Sequence, residues 1–413
     1  MDRHLLKKYA EVIVGIGVNV QVGDNVLVSV GTESLELSRA VVRECWRRGA
    51  RNVITLINDD DMALARYEEG RDDVFDVFPD FEVEYIESMM KEKYHRIALR
   101  APSLDLLGHI DQGKIQRSQK AANIALKPIS KYMDVGDIKW VVAASPSVRW
   151  AKKLFPNCSE EDALNALWDQ IVSICRIDAD DPVAAWTDHD SHLKANERWL
   201  NEQNFEYLHY EGPDTDLIVH LADQHKWLGG SSVTPDGVRY MPNIPTEEIF
   251  TTPHADRCNG RIKATKPLVV MGKIVEDFSF TFEDGRCVDF DARLNGDVIE
   301  TLLGMDEGAR RLGEIALVPH SSPVSQAGLL FHSTLYDENA SCHFALGKAY
   351  ADAIRGGNTM SEEARRELGA NDSMIHIDFM VGGPELQVTG YRKDGMSVPV
   401  LVDGEWAIDP SAS

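Results

Sequence analysis

The alternation of strand, helix and strand near the start of the chain restricts the fold more than any other feature. NVLVSV (25–30) and NVITLI (52–57) are short apolar runs of the kind that form strands. The segment between them has apolar residues at helical spacing, with Thr32 as a possible N-cap and Gly49 at its end. A strand, a crossover helix and a second strand imply a parallel pair. The pattern restarts at IKWVVAAS (138–145), so the first half predicts an α/β fold with a mainly parallel sheet.

The second half is rich in strands instead. Apolar runs such as TDLIVHLA and KIVEDFSFTF follow one another with few helical segments between them, and a turn is expected at Gly272. At 413 residues the chain exceeds what one hydrophobic core comfortably supports. We therefore predict an N-terminal α/β domain over residues 1–205 and an α+β, strand-rich C-terminal domain over residues 206–413. The acidic, helical stretch 188–204 is the expected bridge between them.

The chain is strongly acidic, which restricts its partners. It has 43 Lys and Arg against 67 Asp and Glu, a net charge of −24. A field of this sign repels phosphate backbones and anionic membranes, and it favours cationic ligands and divalent ions. The sequence has no leader-like segment and no membrane-length apolar run, and its six cysteines form no CxxC motif. We therefore expect a soluble, cytoplasmic protein with reduced thiols that binds neither nucleic acid nor membrane.

The segment MIHIDFMVG (374–382) alternates apolar and polar residues. In a strand, its apolar residues share one face, while His376 and Asp378 point together to the other. Burying an imidazole and a carboxylate without partners costs several kcal/mol, so something must hold them. A salt-bridged core pair and a metal ion both satisfy this requirement, and the His-x-Asp pattern alone leaves both open.

Three further carboxylates stand in positions that suit ligands. Glu314 lies at the mouth of the otherwise apolar strand run RLGEIALVP. Glu247 and Glu248 lie on a loop, YMPNIPTEEIFTTP, which prolines stiffen and thereby preorganise. Carboxylates on loops and at strand ends are most often simply solvated, so each of these residues is a candidate and not yet a site.

The segment LYDENASCHFALGKAYADAIRGG predicts a helix that starts at capping residues 337–339 and ends at Gly356. On such a helix His343, Gly347 and Tyr350 share a face. A lone helical histidine is most often a hydrogen-bonded core residue, and a helical tyrosine most often packs. His343 becomes a candidate ligand only together with the other residues.

The densest cluster of histidine and aspartate is DHDSH (188–192). It lies in a polar, highly charged stretch without apolar backing, so we expect a solvated helix start and not a metal site. His254, His320 and His332 lie near the better candidates but have no clear partner in the sequence. They are expected at most to support a site.

The remaining candidates form a set of three carboxylates and two imidazoles: Glu248, Glu314, His343, His376 and Asp378. This set is too large for one closed tetrahedral zinc, and its mixture of oxygen and nitrogen ligands suits a pair of divalent ions. Zinc, cobalt, manganese and magnesium all accept such ligands. Two ions bridged by a carboxylate also hold a water molecule between them, and the chemistry that follows is hydrolysis.

Four segments carry a specific resemblance to a known family: NIPTEEIFTTP, GEIALVPHSSPVS, LYDENASCHFALGKAY and IHIDFMVGGPELQVTG. They resemble the signature segments of the metalloaminopeptidases that include aminopeptidase T, aminopeptidase S and PepS. The resemblance extends over essentially the whole chain. It implies a two-domain homodimer with a dinuclear site in the C-terminal, metal-binding domain. The family's metal ligands fall on the five candidates above, and its active-site tyrosine falls on Tyr350.

The function implied by the resemblance is hydrolysis of the N-terminal bond of a peptide whose α-amino group is free. Two cations would anchor the amine, polarise the scissile carbonyl and activate the shared water. Glu247, beside a ligand on a stiff loop, is the candidate general base and acid. Tyr350 is a candidate donor to the tetrahedral oxyanion.

Two alternatives use the same residues differently. A mononuclear non-haem iron dioxygenase that cleaves dihydroxypyridine rings would need only His343, His376 and Asp378. Glu248 and Glu314 would then have no role, so their presence favours the peptidase. An inactive, metal-stabilised scaffold would be expected to have lost ligands, whereas all five are present.

Overall fold

The computed structural model describes residues 2–102, 106–129, 132, 136–271 and 273–408. The turn predicted at Gly272 lies outside these residues. Contacts group the chain into two compact units, Met1–Asp188 with Ser231–Pro245, and His189–Gly230 with Thr246–Ser413. The domain division after residue 205 stays a prediction. No helix in the described part of the chain combines the length and the apolar character needed to cross a membrane.

The described helices, in chain order, are α1 (Arg3–Val12), α2 (Leu35–Arg47), α3 (Asp60–Glu69), α4 (Asp80–Lys91), α5 (Gln112–Leu126), α6 (Val148–Leu154), α7 (Glu160–Ile174), α8 (Pro182–Gln203), α9 (Gly296–Leu303), α10 (Pro323–Gln326), α11 (Thr334–Asp337) and α12 (Glu362–Glu367). The described strands are β1 (Asn25–Gly31), β2 (Asn52–Asn58), β3 (Tyr94–Arg100), β4 (Trp140–Ala144), β5 (Tyr207–Gly212), β6 (Thr215–Leu221), β7 (Leu228–Gly229), β8 (Ser232–Val233), β9 (Arg239–Tyr240), β10 (Asn243–Ile244), β11 (Ile249–Thr251), β12 (Pro253–Lys263), β13 (Leu268–Val270), β14 (Lys273–Glu283), β15 (Arg286–Leu294), β16 (Leu312–Leu317), β17 (His343–Gly347), β18 (His376–Met380), β19 (Gln387–Tyr391), β20 (Ser397–Val402) and β21 (Glu405–Trp406).

The first unit contains a parallel sheet with the strand order β10-β4-β3-β1-β2. The predicted strands at 25–30 and 52–57 are β1 and β2, and α2 connects them, so the predicted strand-helix-strand unit is confirmed. The helix begins after a 3-10 turn at Thr32–Ser34, which makes Ser34 its N-cap instead of Thr32. The chain then leaves α2 through Gly49, whose φ of 88° suits a residue without a side chain.

The second unit is antiparallel and contains two larger sheets. One has the order β18-β17-β16-β11-β7, and the other runs β13-β14-β12-β6-β5-β19-β20-β21, with β15 paired to β14. Their apolar faces meet in one core, where Phe379 of β18 lies 5.0 Å from Phe280 of β14 between ring centroids. The predicted fold class, α/β followed by strand-rich α+β, is confirmed.

The helix predicted around His343 is wrong. After the short α11, a 3-10 turn at Glu338–Ala340 leads directly into strand β17, and all five residues of that strand are buried. A strand with neighbours on both sides and both faces covered lacks the polar alternation of a half-exposed strand, so its apolar run resembles that of a helix. Gly347 ends the strand with a φ of 103°, a conformation that no helix contains.

Candidate metal centre

The register of three neighbouring strands places the candidate ligands on one face of the smaller sheet. Glu314 of β16 and Asp378 of β18 both pair with Ala345 of β17, one from each side. Residues directly opposite one another in a sheet share a face, and so do residues two apart along a strand. His376 and His343, each two residues from a member of this row, therefore project from the same face.

The loop carboxylate joins the set by the same rule. Ile249 of β11 pairs with Leu317 of β16, and both side chains are buried in the core. Glu248, immediately before Ile249, consequently projects to the opposite face, towards Glu314. The structure thus brings together all five residues that the sequence singled out as ligands.

Distances divide these residues into two overlapping groups. In the first, Nε2 of His343 lies 3.2 Å from Oε2 of Glu248 and 3.9 Å from Oε1 of Glu314. In the second, Nε2 of His376 lies 3.2 Å from both Oε2 of Glu314 and Oδ1 of Asp378. Within each group the potential ligand atoms all lie within 4.8 Å of one another. Glu314 belongs to both groups, with one oxygen directed to each.

Backbone carbonyls hold the two imidazoles. Nδ1 of His343 lies 3.1 Å from the carbonyl oxygen of Ser341, and Nδ1 of His376 lies 2.7 Å from that of Lys348. A carbonyl oxygen only accepts hydrogen bonds, so Nδ1 is the donor in each ring. Nε2 is therefore left to face the carboxylates, which is the orientation that metal-binding histidines need.

The cluster contains more carboxylates than imidazoles, and this excess of negative charge shifts the pKa values of its members. Burial, together with the charges of Asp378 and Glu248, raises the pKa of Glu314. Burial alone would lower the pKa of His343, but its hydrogen bond to Glu248 and the nearby carboxylates raise that pKa to about 10. The same opposition, with Asp378 and Glu314 as partners, raises the pKa of His376 to about 11. Protonated imidazoles thus neutralise part of the carboxylates' negative charge when no other cation is bound.

The partners of these carboxylates are informative. Among the described residues, their ion pairs are all with histidine and none is with lysine or arginine. Histidine can lose its proton to solvent and bind a metal ion through the freed nitrogen, whereas lysine and arginine keep their protons and would leave a permanent cation in the site. The donor set therefore fits divalent cations.

Glu338 also approaches the cluster, although its sequence context predicts only a helix cap. It lies in the 3-10 turn before β17, and burial together with the charges of Glu248 and Asp378 raises its pKa well above the usual value. Its neighbour Asp337 is different, because that carboxylate accepts hydrogen bonds from the backbone N–H groups of Phe331 and Ser333 and so serves the fold. The acidic run DEN was interpreted as a helix cap, and only the approach of distant strands distinguishes the two carboxylates.

Tyr350 lies beside the cluster, although not for the predicted reason. It follows β17 instead of sharing a helix face with His343, and its ring lies 4.7 Å from the ring of His376. Desolvation of its hydroxyl and the charges of Glu314 and Asp378 raise its pKa, so the hydroxyl keeps its proton at neutral pH. The residue is 48% exposed, which leaves part of it open to an incoming molecule.

Glu247 lies on the edge of this arrangement. Its side chain is buried, and Oε2 lies 3.4 Å from Nε2 of His189 on α8. Its backbone N–H donates to the side-chain oxygen of Asn339 at 2.6 Å. The carboxylate therefore contacts α8, and its role as a general base stays a prediction.

The expectation for DHDSH is corrected in one respect. The segment lies within α8 and is not solvated at its inner side, since Asp190 is 4% exposed and His189 contacts Glu247. Long helices bury one face, and the polar residues on that face here find polar partners. Neither group of potential ligands among the described residues includes this segment, nor His254, His320 or His332.

The alternation of side chains along β17 places an imidazole and a thiol on opposite faces of the sheet. His343 faces the carboxylates, while Cys342 before it and Phe344 after it belong to the core. The thiol of Cys342 lies 3.2 Å from the carbonyl oxygen of Val318, and burial raises its pKa to about 12. The sulfur is therefore protonated and turned away from the cluster.

Comparison with known proteins identifies the family. Residues 2–406 match the family described as Thermophilic metalloprotease (M29). The chain belongs to the M29 family. Members of a metalloprotease family require divalent metal ions, which agrees with the ligand set. The resemblance inferred from the four sequence segments is thereby confirmed.

Individual M29 relatives match over nearly their full length. Aminopeptidase AmpS of Bacillus subtilis (strain 168) is 40% identical over 402 residues, which cover 97% of this chain and 98% of the relative. Aminopeptidase T of Thermus thermophilus is 36% identical over 403 residues, with 98% of each chain covered. The solved structure of wild-type AmpT from Thermus thermophilus has a TM-score of 0.92 at 35% identity and covers 98% of this chain and 100% of its own. These relatives give no support to the dioxygenase alternative.

Proposed function

We propose that this M29 protein hydrolyses the N-terminal peptide bond of peptides with a free α-amino group, at a site that holds two divalent metal ions. The observation that carries the proposal is the pair of ligand groups that overlap at Glu314. A carboxylate shared by two ligand groups is the arrangement of a dinuclear hydrolytic site, and such sites occur in aminopeptidases. The aminopeptidase names of the relatives support the same activity.

The assignment of ligands follows from the two groups. Glu248 and His343 would hold one ion, His376 and Asp378 the other, and Glu314 would bridge them. Oxygen and imidazole ligands accept zinc, cobalt, manganese or magnesium, so the donor set restricts the metal to this class. The imidazoles would release their protons on binding, and the carbonyls of Ser341 and Lys348 would keep their rings oriented.

Bound ions would supply Lewis acidity for the scissile carbonyl and a water molecule of lowered pKa. The side chains around them would perform the remaining tasks. The surplus of carboxylates would attract the α-ammonium group of the peptide and orient its first bond. Tyr350, which keeps its proton, would donate a hydrogen bond to the tetrahedral oxyanion.

Proton transfer to the leaving amine needs a carboxylate within reach of the attacking water. Glu247 is our candidate, held by its contact with His189 beside the ligand Glu248. Glu338 is a second candidate, because it interacts with Glu248 and Asp378 inside the cluster. Replacing each by Gln and comparing kcat at saturating substrate separates the two. We further propose a cytoplasmic homodimer, as the resemblance implies.

The test of the function compares two peptides with the same sequence, one with a free and one with an acetylated N-terminus. Only the free peptide should be cleaved, and only at its first bond, by protein containing about two metal equivalents per chain. Chelation should abolish cleavage, and cobalt, zinc or manganese should restore it. Full activity after complete demetallation, or cleavage of an internal bond in the acetylated peptide, would contradict the proposal.

A further inference from the structure

Strand β18 forms one edge of the five-stranded sheet that carries the ligands. Two hydrogen bonds fix which of its backbone groups face its neighbour β17. The N–H of Lys348 donates to the carbonyl of Ile375 at 2.7 Å, and the N–H of Val381 donates to the carbonyl of Cys342 at 2.8 Å. Hydrogen-bonded pairs alternate along an antiparallel ladder, so the residues of β18 that bond to β17 are the odd-numbered ones.

The even-numbered residues of β18 consequently direct their N–H and C=O groups away from β17. At one end of this edge, the carbonyl of Met380 accepts a hydrogen bond from the N–H of Thr265 at 2.9 Å. Among the described residues, no other residue donates to or accepts from the backbone of His376 or Asp378 on this side. The open part of the edge therefore consists of the two residues whose side chains belong to the metal centre.

We propose that the peptide substrate adds to this open edge as an extra strand. The inference rests on the proposed aminopeptidase function and specifies how the peptide is held there. His376 and Asp378 each present a side chain to the metal face and a backbone to the edge, so a peptide paired with them lies one strand spacing, about 4.8 Å, from the backbone that carries these ligands. Its first residue reaches the metal face, and the residues after the scissile bond pair with β18.

This mode of binding contacts the main chain of the substrate and makes few contacts with its side chains. Backbone hydrogen bonds to a sheet edge supply affinity for any extended peptide. Because β18 has only five residues and one end is already occupied by Thr265, the edge accommodates a short peptide segment. Met374, 77% exposed just before the strand, offers an apolar contact at its other end.

The first test uses substrates whose backbone amides are replaced by esters one at a time, downstream of the scissile bond. Only every second residue of an added strand bonds to its neighbour. Each ester at a bonding position should lower kcat/KM by about three- to tenfold, the effect of one lost hydrogen bond, while esters at the positions between should have little effect. An equal response at every position would overturn the inference.

The second test measures hydrogen exchange of individual amides in the metal-loaded enzyme, with a pentapeptide whose first bond is reduced to CH2–NH. Binding should slow exchange at the amides of His376 and Asp378. The amides of Ile377 and Phe379 are the matched controls, because they bond to β17 with or without peptide. Unchanged exchange at His376 and Asp378 under saturating peptide would overturn the inference.

The two proposals fail in distinguishable ways. If no free pentapeptide is cleaved by the metal-loaded protein, the aminopeptidase function is wrong. If the unmodified pentapeptide is cleaved but the alternation or the protection is missing, the function stands and the edge-strand inference is wrong.

Discussion

Two clusters of charged side chains, one in each compact unit, both combine carboxylate with histidine and differ in one partner. In the first unit, Oδ2 of Asp24 lies 2.6 Å from Nζ of Lys139, and Oδ1 lies 3.5 Å from Nε2 of His95. The ammonium group of Lys139, 2% exposed, also donates to the carbonyl of Asn19. In the second unit, Glu314 has two histidines and two further carboxylates around it and no such ammonium group among the described residues.

This difference reverses the behaviour of the carboxylates. Burial would raise the pKa of Asp24, but its hydrogen bonds with His95 and Lys139 hold that pKa well below the usual value. Burial and like charges instead raise the pKa of Glu314. A permanent cation neutralises the first cluster as part of the fold, whereas under the proposed function the second cluster exchanges its protons for metal ions. A group of carboxylates without lysine or arginine as ion-pair partners is therefore a better indication of a cation site than the number of carboxylates.

The largest effect is expected for Asp378→Asn. One ion should be lost, and kcat/KM should fall by about 10³-fold, since a metal ion supplies several kcal/mol of transition-state stabilisation. Compared after chelation, the thermal midpoints of the variant and the wild type should be similar, because the apolar face of β18 still packs on the core. Metal analysis, kinetics and calorimetry measure the three quantities. Asp291→Asn, an exposed aspartate on β15, is the control that should alter none of them. Two bound metals with near-normal turnover in Asp378→Asn would break the comparison.

The second prediction concerns Asp24→Asn, which should affect stability and leave the metal content of the folded protein unchanged. Lys139 would remain buried without its carboxylate, and removing one partner of a buried pair costs about 3 kcal/mol or more. Denaturant unfolding at pH 7 measures this loss. Asp297→Asn is the matched control, because its pair with Lys273 lies exposed and should contribute little.

The pH dependence of this loss has a definite sign. Because the pKa of Asp24 is lower in the folded protein than in the unfolded chain, its stabilising contribution is complete above about pH 4 and disappears as the pH falls further. The stability difference between the wild type and Asp24→Asn should therefore shrink between about pH 4 and pH 2. A difference that grows in acid would contradict this account of the first cluster.

The smallest free-energy change is expected for the stability that bound ions contribute, which His343→Lys tests by giving the second cluster the permanent cation of the first. Chelation should lower the thermal midpoint of the wild type, because ions that bind only the folded state stabilise it by about 2.7 kcal/mol at one hundred times their Kd. The variant should show a much smaller shift on chelation and no activity. His209→Lys, at a surface histidine beside Asp216, should keep the wild-type shift. An unchanged shift in His343→Lys would mean that His343 holds no metal.

The parts of the fold that the sequence predicts are those that depend on the spacing of apolar residues within one element. The strand-helix-strand unit at β1, α2 and β2 and the alternation of β18 each depend on residues within one element. The two faces of β18 lie as predicted, with Phe379 in the core and His376 and Asp378 among the potential ligands. The five candidate ligands were selected by residue type and by the resemblance, and their convergence is a consequence of register between strands.

The errors occurred where tertiary packing overrides local pattern. β17 is covered on both faces and paired on both sides. Its sequence therefore lacks the alternation of apolar and polar residues that is typical of a strand, and it predicts a helix instead. Glu338 approaches Glu248 only because β11, β16 and β17 are neighbours in the sheet, which no spacing along the chain reveals. The same limit applies to residues 231–245, whose strand β10 pairs with β4 about a hundred positions earlier.

The register of β17 also determines which donor atoms face the proposed metal centre. A slip of one residue would exchange His343 for Cys342 at the ligand face and place a thiol among the carboxylates. Thiolates select soft ions such as Cu(I), whereas oxygen and imidazole donors accept the harder divalent ions. Since the sulfur is buried and bonded to Val318, oxidants and alkylating reagents have no access to a group beside the ligands. In the proposed site, the strand register thereby keeps a thiol away from the ligands.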